Sequence, residues 1–393
     1  MPTSLRELSH YLTLVVCAAA VYSEPLHAQP SSLARLSAPT AVLSEDFSAT
    51  ASVRELADGR VLVSDEKEGR VFVADFTSGS VRQIGRSGAG PGEYRQVGRI
   101  WALAGDTTLI KEPFSPRWIL LAGSAVVSTL GPGDDAVRTV GANRLVGSDA
   151  LGNLVWTSFR RDANNRPALD DSLVVLRLNR PSGRIDTIAS VQSSSGWSRA
   201  AGVADAAPAV AAGGGGPPQR RTYRIALSAP DEIAVFPDGW VAVVRAEPYR
   251  VDWCAPRQPC IVGRPLAGTR RPMTDREKQA YLAVAAATQT WPPTTDIAET
   301  AGWPNVLPAF ATPTSRVDAS AVIGLTDGRL LVERLPTADV PFRRYDIITR
   351  TGGAARQLQL ELAERIVGSS ARHLYVATTD EDGIQRLRRH PLP

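Results

Sequence analysis

The sequence predicts an all-β fold, a six-bladed β-propeller with four antiparallel strands per blade. Three observations lead there. A unit of short apolar or alternating segments recurs along the chain at a spacing of about 45 residues. Each copy carries an Asp-Gly, Gly-Asp or Gly-Asn pair at a tight turn, where positive φ is tolerated. The last copy lacks one strand, and a suitable strand stands unused before the first copy.

In chain order, the N-terminus has Met1–Arg6, an apolar stretch Tyr11–Val21 and the small-residue exit Leu26-His27-Ala28. That is the layout of a cleavable secretion signal over 1–28, too short in its apolar run to span a bilayer. A buried first helix is the alternative. Cys17 follows Val16 rather than a small residue, which argues against a lipid anchor. Residues 29–39, with Pro30 and Pro39, read as a flexible mature start, and the propeller is expected over 40–393.

The clearest blade runs through Val53–Leu56, the turn Asp58-Gly59, then Val61–Ser64, Val71–Ala74 and Val81–Ile84. Turns recur at Gly105-Asp106, Gly152-Asn153, Asp238-Gly239 and Asp327-Gly328. Two intervals between turns are doubled. The first contains 193–222, an Ala-, Gly- and Pro-rich stretch with Gly213–Gly216 in a row, read as a low-complexity loop insertion. The second contains 264–316, read as an insertion with a helix that starts at Thr274, has Glu277 three residues on, and places Tyr281, Val284 and Ala285 on one face. Five blades result, plus Glu364–Ser369, His373–Thr378 and Ile384–His390 as three strands of a sixth. Ala41–Phe47 is the candidate fourth strand. Pairing the first strand with the last blade closes the ring and removes open edges.

Composition excludes several classes. The chain of 393 residues is 43% hydrophobic and 21% charged, so it can bury a core and is not disordered. Its net charge is only +4, and Lys67, Lys111 and Lys278 are the only lysines among 44 basic residues, with no basic run to suggest nucleic acid. After signal removal two cysteines remain, Cys254 and Cys260, separated by a segment with two prolines. A hairpin there brings the thiols together, and an oxidising compartment then makes a disulfide. Two buried thiols are the alternative.

The segment Ile84-Gly85-Arg86-Ser87-Gly88-Ala89-Gly90-Pro91-Gly92-Glu93-Tyr94 resembles the Gly-rich, Gly-Glu-aromatic link between blades of NHL-type six-bladed propellers. Phe236–Trp240 and Glu247–Trp253 are similar to segments of exported bacterial members of that group. The resemblance covers about residues 40 to 393 and implies the fold; propellers host both enzymes and binding modules, so it leaves the activity open.

Catalytic motifs are missing. No Gly-Lys-Ser/Thr follows the Gly-rich link, so it is no P-loop. No Gly-x-Ser-x-Gly occurs. His373 and His390 alone cannot supply a three-histidine metal site, and no haem or quinone motif stands out. The expectation is therefore no cofactor. Calcium is the alternative, held in the central channel by oxygen ligands from Asn143, Asn153, Asp231, Glu232, Asp318 and Glu364.

Topology is more informative. In a four-stranded meander, the connections from strand two to three and from strand four to the next blade share one face. All the long segments fall in that set: 86–99, 112–116, 160–171, 191–229, 264–316 and 335–341. Such gathering marks a binding face. The same face is expected to carry Lys111, Arg160, Arg245 and Arg334 at the ends of second strands, with Arg86 and Arg95 from the first crossover. In register they form a partial cationic ring suited to carboxylate or phosphate, with Tyr249 among the aromatics that line or floor it. Salt-bridged structural arginines are the alternative. The expected function is an exported, non-catalytic, monomeric binding protein, periplasmic or extracellular. Its partner is a protein segment or an anionic small molecule, with no nucleic acid and no membrane span in the mature chain. A calcium-dependent lactonase- or esterase-like hydrolase is the alternative.

Overall fold

A computed structural model describes residues 32–90, 92–113, 115–141, 143–161, 172–192, 197–198, 223–224, 227, 229–266, 271–288, 303–310, 320–340 and 342–393. The expected signal peptide lies outside them. So does all of 193–222 but Trp197–Ser198, which pairs antiparallel with Tyr223–Arg224 and so pinches the two ends of that insertion together.

The fold is a six-bladed β-propeller. Blade 1 comprises Thr50–Glu55, Val61–Asp65, Arg70–Ala74 and Val81–Ile84. Blade 2 comprises Ile100–Ala102, Thr107–Lys111, Trp118–Ala122 and Ala125–Leu130. Blade 3 comprises Arg144–Ser148, Leu154–Phe159, Ser172–Asn179 and Arg184–Gln192. Blade 4 has Glu232–Val235, Val241–Arg245 and Arg250–Cys254. Blade 5 has Val322–Gly324, Leu330–Arg334, Arg343–Ile348 and Ala354–Leu360. Blade 6 has Glu364–Ser369, His373–Thr379 and Gln385–Pro391.

The ring closes as the sequence predicts. Strand β1 (Ser32–Arg35) and strand β2 (Ala41–Phe47) precede the first blade. β2 is the outer strand of blade 6, pairing Ala41 with Arg389 and Phe47 with Gln385. β1 departs from the expected flexible start: it adds to the outer edge of blade 5 as a fifth, parallel strand, Ser32 opposite Arg356 and Arg35 opposite Gln359. Nothing in its composition signals a strand, because its pairing partner lies more than three hundred residues away.

Packing explains the sequence pattern. A blade is covered on both faces by its neighbours, so its second strand buries successive residues instead of alternating, as in Val241, Ala242, Val243 and Val244. Each pair of successive blades shares one apolar cluster. Leu62, Ile110 and Ile119 join blades 1 and 2, while Leu109, Trp118 and Trp156 join 2 and 3. Val155, Val241 and Val243 join 3 and 4, and Phe236, Trp253 and Val332 join 4 and 5. Leu331, Tyr345 and Val376 join 5 and 6, and Phe47, Val63 and Tyr375 close 6 onto 1. Close packing of these clusters holds each blade against its neighbours.

The three Asp-Gly turns share one mechanism. Asp58, Asp238 and Asp327 each accept a hydrogen bond from the backbone N–H two residues on, at 3.0, 3.3 and 3.0 Å. The intervening Gly59, Gly239 and Gly328 sit at φ of 83°, 84° and 87°, a region costly for other residues.

Blade 4 departs from four equal strands. The fourth strand of blade 4 is reduced to Ile261, bridged to Trp253 by hydrogen bonds of 2.9 and 2.7 Å. Cys254 and Cys260 are disulfide-bonded across that hairpin, S–S 2.00 Å. Closing so short a loop is worth about 2 kcal/mol in the chain-entropy account. Cys254→Ser with Cys260→Ser should lose about that much in urea unfolding, and reductant should then have no further effect; an unchanged midpoint would show the bridge to be energetically idle.

Candidate functional site

The connections on one face are long and on the other short. The strand ends at the first face bound the connections 85–99, 131–143, 193–231 and 262–321 between blades, and 112–117, 160–171 and 335–342 inside blades 2, 3 and 5. The 131–143 connection carries helix α1 (Asp135–Val140), which sequence patterning misses because a helix this short shows less than two turns of periodicity. It buries Val137 and Val140 on blades 2 and 3. The opposite face has only turns such as 56–60, 103–106, 123–124, 236–240 and 325–329.

Three of the long connections build a second core. Helix α2 (Asp275–Thr288) begins where the sequence predicts, with Thr274 Oγ1 accepting the Glu277 N–H at 3.3 Å. The Glu277 carboxylate turns elsewhere, accepting the Ala338 N–H of blade 5 at 2.9 Å. Tyr281 packs with Leu307, Leu335 and Leu227, which come from three different connections. The long-loop face thus carries this second core at blades 4 and 5. It is low at blades 6 and 1, where the links 361–363 and 48–49 are minimal.

The register defines a ring at the channel mouth. Ser52, Arg144, Glu232 and Arg365 pair with Ser64, Thr157, Val244 and Ala377 at one level, with Ile100 and Ala321 completing the turn. Neighbouring blades are tied there. The Ile100 N–H donates to Ser52 Oγ at 2.9 Å, Ser320 Oγ donates to Glu232 at 2.9 Å, and the Arg144 guanidinium lies 3.9 Å from Glu232. Arg365 donates to the Thr50 carbonyl at 2.6 Å, across the blade 6–blade 1 closure. Arg144 and Arg365 were not selected from the sequence, although counting back from each turn to the strand start would have found them.

The residues expected to form the cationic ring divide into two groups. Arg245, Arg334, Lys111 and Tyr249 are inside the blades. Arg245 donates to Asp231 and Asp252, both at 2.7 Å, and Arg250 donates to Asp252 at 2.9 Å. Burial pushes the Asp252 carboxyl up, but the hydrogen bonds from Arg250 and Arg245 outweigh it and hold its pKa below the usual range. Arg334, 7% exposed, donates to Asp346 at 2.9 Å and stacks 4.9 Å over the Tyr249 ring. The Tyr249 hydroxyl donates to the same carboxylate at 2.8 Å, and burial next to that charge raises its pKa well above the ordinary value. Lys111 is buried at the end of its strand. The charge of Arg245 and Arg334 is therefore answered within the fold, because a buried cation without a counter-ion would be expensive.

Arg86, Arg95 and Arg160 are exposed on the long-loop face. Arg160 lies past the last residue of its strand, Phe159; the position in register with Arg245 is Ser158. Arg86 donates to Glu93 at 2.6 Å.

The Gly-rich link is filled by its own chain. Glu93 accepts the Gly90 N–H at 2.7 Å, and that bond, with the one from Arg86, sets its pKa below the usual carboxylate range. The carboxylate occupies the place an external anion would take. Tyr94 is buried, accepts the Val71 N–H at 3.1 Å and donates to the Ile84 carbonyl. Gly85, at φ of 65°, has no room for a Cβ, which would come within 2.9 Å of the Tyr94 ring and 2.8 Å of the Gly92 carbonyl.

Among the residues proposed for calcium, Asp231 holds Arg245 and the Gln192 N–H, and Glu364 accepts from Arg388 at 3.0 Å. Asn153 lies on the opposite face, where its Nδ2 donates to Asp149 at 2.8 Å. Asp318 is outside the described residues. Among the described residues, no three His, Cys, Asp or Glu side chains come together as a metal-ligating group. His373 lies 3.1 Å from Glu55 on the short-turn face, and His390 is buried against the Ser37 carbonyl at 2.7 Å. Among the described residues, no helix is long and apolar enough to cross a membrane.

Comparison with known proteins agrees with the architecture. Residues 47–105 match the DUF5128 family, described as a 6-bladed beta-propeller. No curated protein matches the sequence. A candidate exported protein from Bacteroides fragilis is similar at 11% identity and a TM-score of 0.48, over 92% of this chain and 99% of that one. Regucalcin, a calcium-binding protein from Agrobacterium tumefaciens, is similar at 10% identity and a TM-score of 0.43, over 92% and 96%. The PQQ-bound aldose sugar dehydrogenase from Streptomyces coelicolor is similar at 13% identity and a TM-score of 0.41, over 90% and 98%.

Proposed function

We propose that the protein is an exported, monomeric binding module that takes an anionic ligand or acidic polypeptide segment on its long-loop face and catalyses no reaction on it. The observation that carries this reading is the one-sided architecture: every long connection leaves and returns at one face, and described residues of three of them share a core. A rigid scaffold that gathers its long loops on one face usually binds its ligand there. Exposed Arg95 and Arg160 supply cationic contacts, and Arg144, 38% exposed, extends them to the channel rim. Lys111, Arg245, Tyr249 and Arg334 shape the rim from within the blades.

No resident cofactor is part of this proposal. Calcium in the channel would require Asp231 and Glu364 to give up Arg245 and Arg388. Elemental analysis showing a stoichiometric divalent ion would replace this reading with the hydrolase.

The test uses a labelled oligoglutamate peptide followed by fluorescence anisotropy. Arg95→Ala with Arg160→Ala should weaken binding by about three- to ten-fold, the worth of two partly screened charge contacts. Arg184→Ala, at the start of an outer strand on the opposite face, should leave it unchanged. Equal losses from the two faces would refute a site on the long-loop side.

A further inference from the structure

We propose that a row of side chains across the long-loop end of blade 5, Arg344, Gln359 and Arg35, is an oxyanion subsite that takes a carboxylate or phosphate group of the ligand. The subsite rests on the long-loop face binding anions, as proposed above, and adds which cation holds the anion and where.

Strand register builds the row. Arg334 of the second strand pairs with Arg344 of the third, Arg344 with Gln359 of the fourth, and Gln359 with Arg35 of β1. Residues opposite each other on neighbouring strands project from the same face of a sheet, with Cβ atoms about 5 Å apart. That face is the one turned to blade 4, because Asp346, two residues on from Arg344, accepts from the Tyr249 hydroxyl. Exposure rises outward, from buried Arg334 through half-buried Arg344 and Gln359 to exposed Arg35.

The charges along the row are unevenly met. Arg334 has Asp346 at 2.9 Å. Among the described residues Arg344 pairs with no carboxylate, and its buried Nε has no acceptor. Asp346, whose charge also reaches Arg344, is already engaged by Arg334, Tyr249 and Gln357. Arg271, from the 262–321 connection, adds a further positive charge near Arg344 and shares its own counter-ion Asp339 with Arg276. Burial first, then the charge of Arg334, lowers the Arg344 pKa from its ordinary value. Like charges directly opposite on neighbouring strands are unfavourable. An oxyanion at Arg344 offsets that repulsion, its paired oxygens suit the planar guanidinium, and Gln359 offers an amide donor beside it. Arg35 adds charge at the outer rim.

The probes are inorganic phosphate and the labelled oligoglutamate peptide, and the variant is Arg344→Met, which keeps an aliphatic stem and removes the charge. In buffer free of phosphate and carboxylates the variant should melt no lower than the parent, because it relieves a like-charge pair. Millimolar phosphate at matched ionic strength should raise the parent's melting temperature, and Arg344→Met should abolish the rise. Arg356→Ala, on the same strand as Gln359 but on the other sheet face opposite Ile347, should keep it. Peptide binding should weaken about ten-fold in Arg344→Met, the worth of one charged hydrogen bond. A lower melting temperature without the anion, or an unchanged phosphate response, overturns the subsite. If Arg95→Ala with Arg160→Ala weakens the peptide and Arg344→Met does not, the long-loop face still binds anions and this subsite falls. A phosphate response that Arg344→Met abolishes, in a parent that binds no peptide, supports the subsite and removes the acidic polypeptide as ligand.

Discussion

Phe47→Ala should destabilise the protein by about 3–5 kcal/mol and Leu43→Ala by about 2–5 kcal/mol, as large-to-small changes in a packed core do. Both side chains lie on β2 and are at most 2% exposed. They join Leu387 and Tyr375 of blade 6 to Val53, Val61 and Val63 of blade 1, and Phe47 meets Phe72 edge-on at 5.7 Å between ring centroids. The loss is paid at the one seam where the two ends of the chain meet. A propeller with an open seam has an exposed sheet edge and two unpacked blade faces, so the double variant should lie near the limit of the stability typical of a folded domain. Val42→Ala, on the same strand but 51% exposed, should stay within about 0.5 kcal/mol. Urea unfolding followed by fluorescence separates them. Equal midpoints for Phe47→Ala and Val42→Ala would show that the N-terminal strand does not hold the ring.

Asp346→Ala should cost a similar amount, about 3–5 kcal/mol, for a different reason. Asp346 is 1% exposed and accepts from Arg334, from the Tyr249 hydroxyl and from Gln357 at 2.8 Å. Its removal strands a buried guanidinium, a hydroxyl and an amide together. Removing the cation as well, with Arg334→Met, should restore much of the loss, because a buried ion pair contributes little over a well-packed apolar pair while half of one is strongly unfavourable. If the double variant is no more stable than Asp346→Ala alone, the network matters through shape and not through charge. Asp186→Ala, whose partner Arg184 is 52% exposed, should be nearly silent.

The blades were legible because a propeller repeats its local chemistry. The Asp-Gly turns mark strand one to strand two in blades 1, 4 and 5 with the same acceptor and the same positive φ. The closing role of Ala41–Phe47 followed from counting strands. The start of helix α2 followed from Thr274 and Glu277. Other elements left no local trace. β1 depends on an edge contributed by residues 354–360, and α1 is held by Val137 and Val140 in a groove between blades 2 and 3. The fourth strand of blade 4 is reduced to the single bridge of Ile261 with Trp253, which no local pattern announces.

The site was less legible than the fold. Lys111, Arg245 and Arg334 share a register position in blades 2, 4 and 5, which sequence spacing captures. Whether such a cation faces a ligand or a carboxylate of its own blade depends on residues distant in sequence. Asp231 and Asp252 meet Arg245, and Asp346 with the Tyr249 ring encloses Arg334.

By itself the sequence determined the number of blades, their order, the strand that closes the ring and the face on which the long connections gather. Each of these follows from short-range patterns, namely turn residues, strand length and apolar runs, whose physics acts within a few residues. Only the tertiary structure decided which arginines are buried counter-ions and which face solvent, that Glu93 fills the Gly-rich link, and that the first described residues add a strand to blade 5. Those outcomes depend on desolvation and on pairing between segments far apart in the chain, and such energies exist only once the blades are in contact.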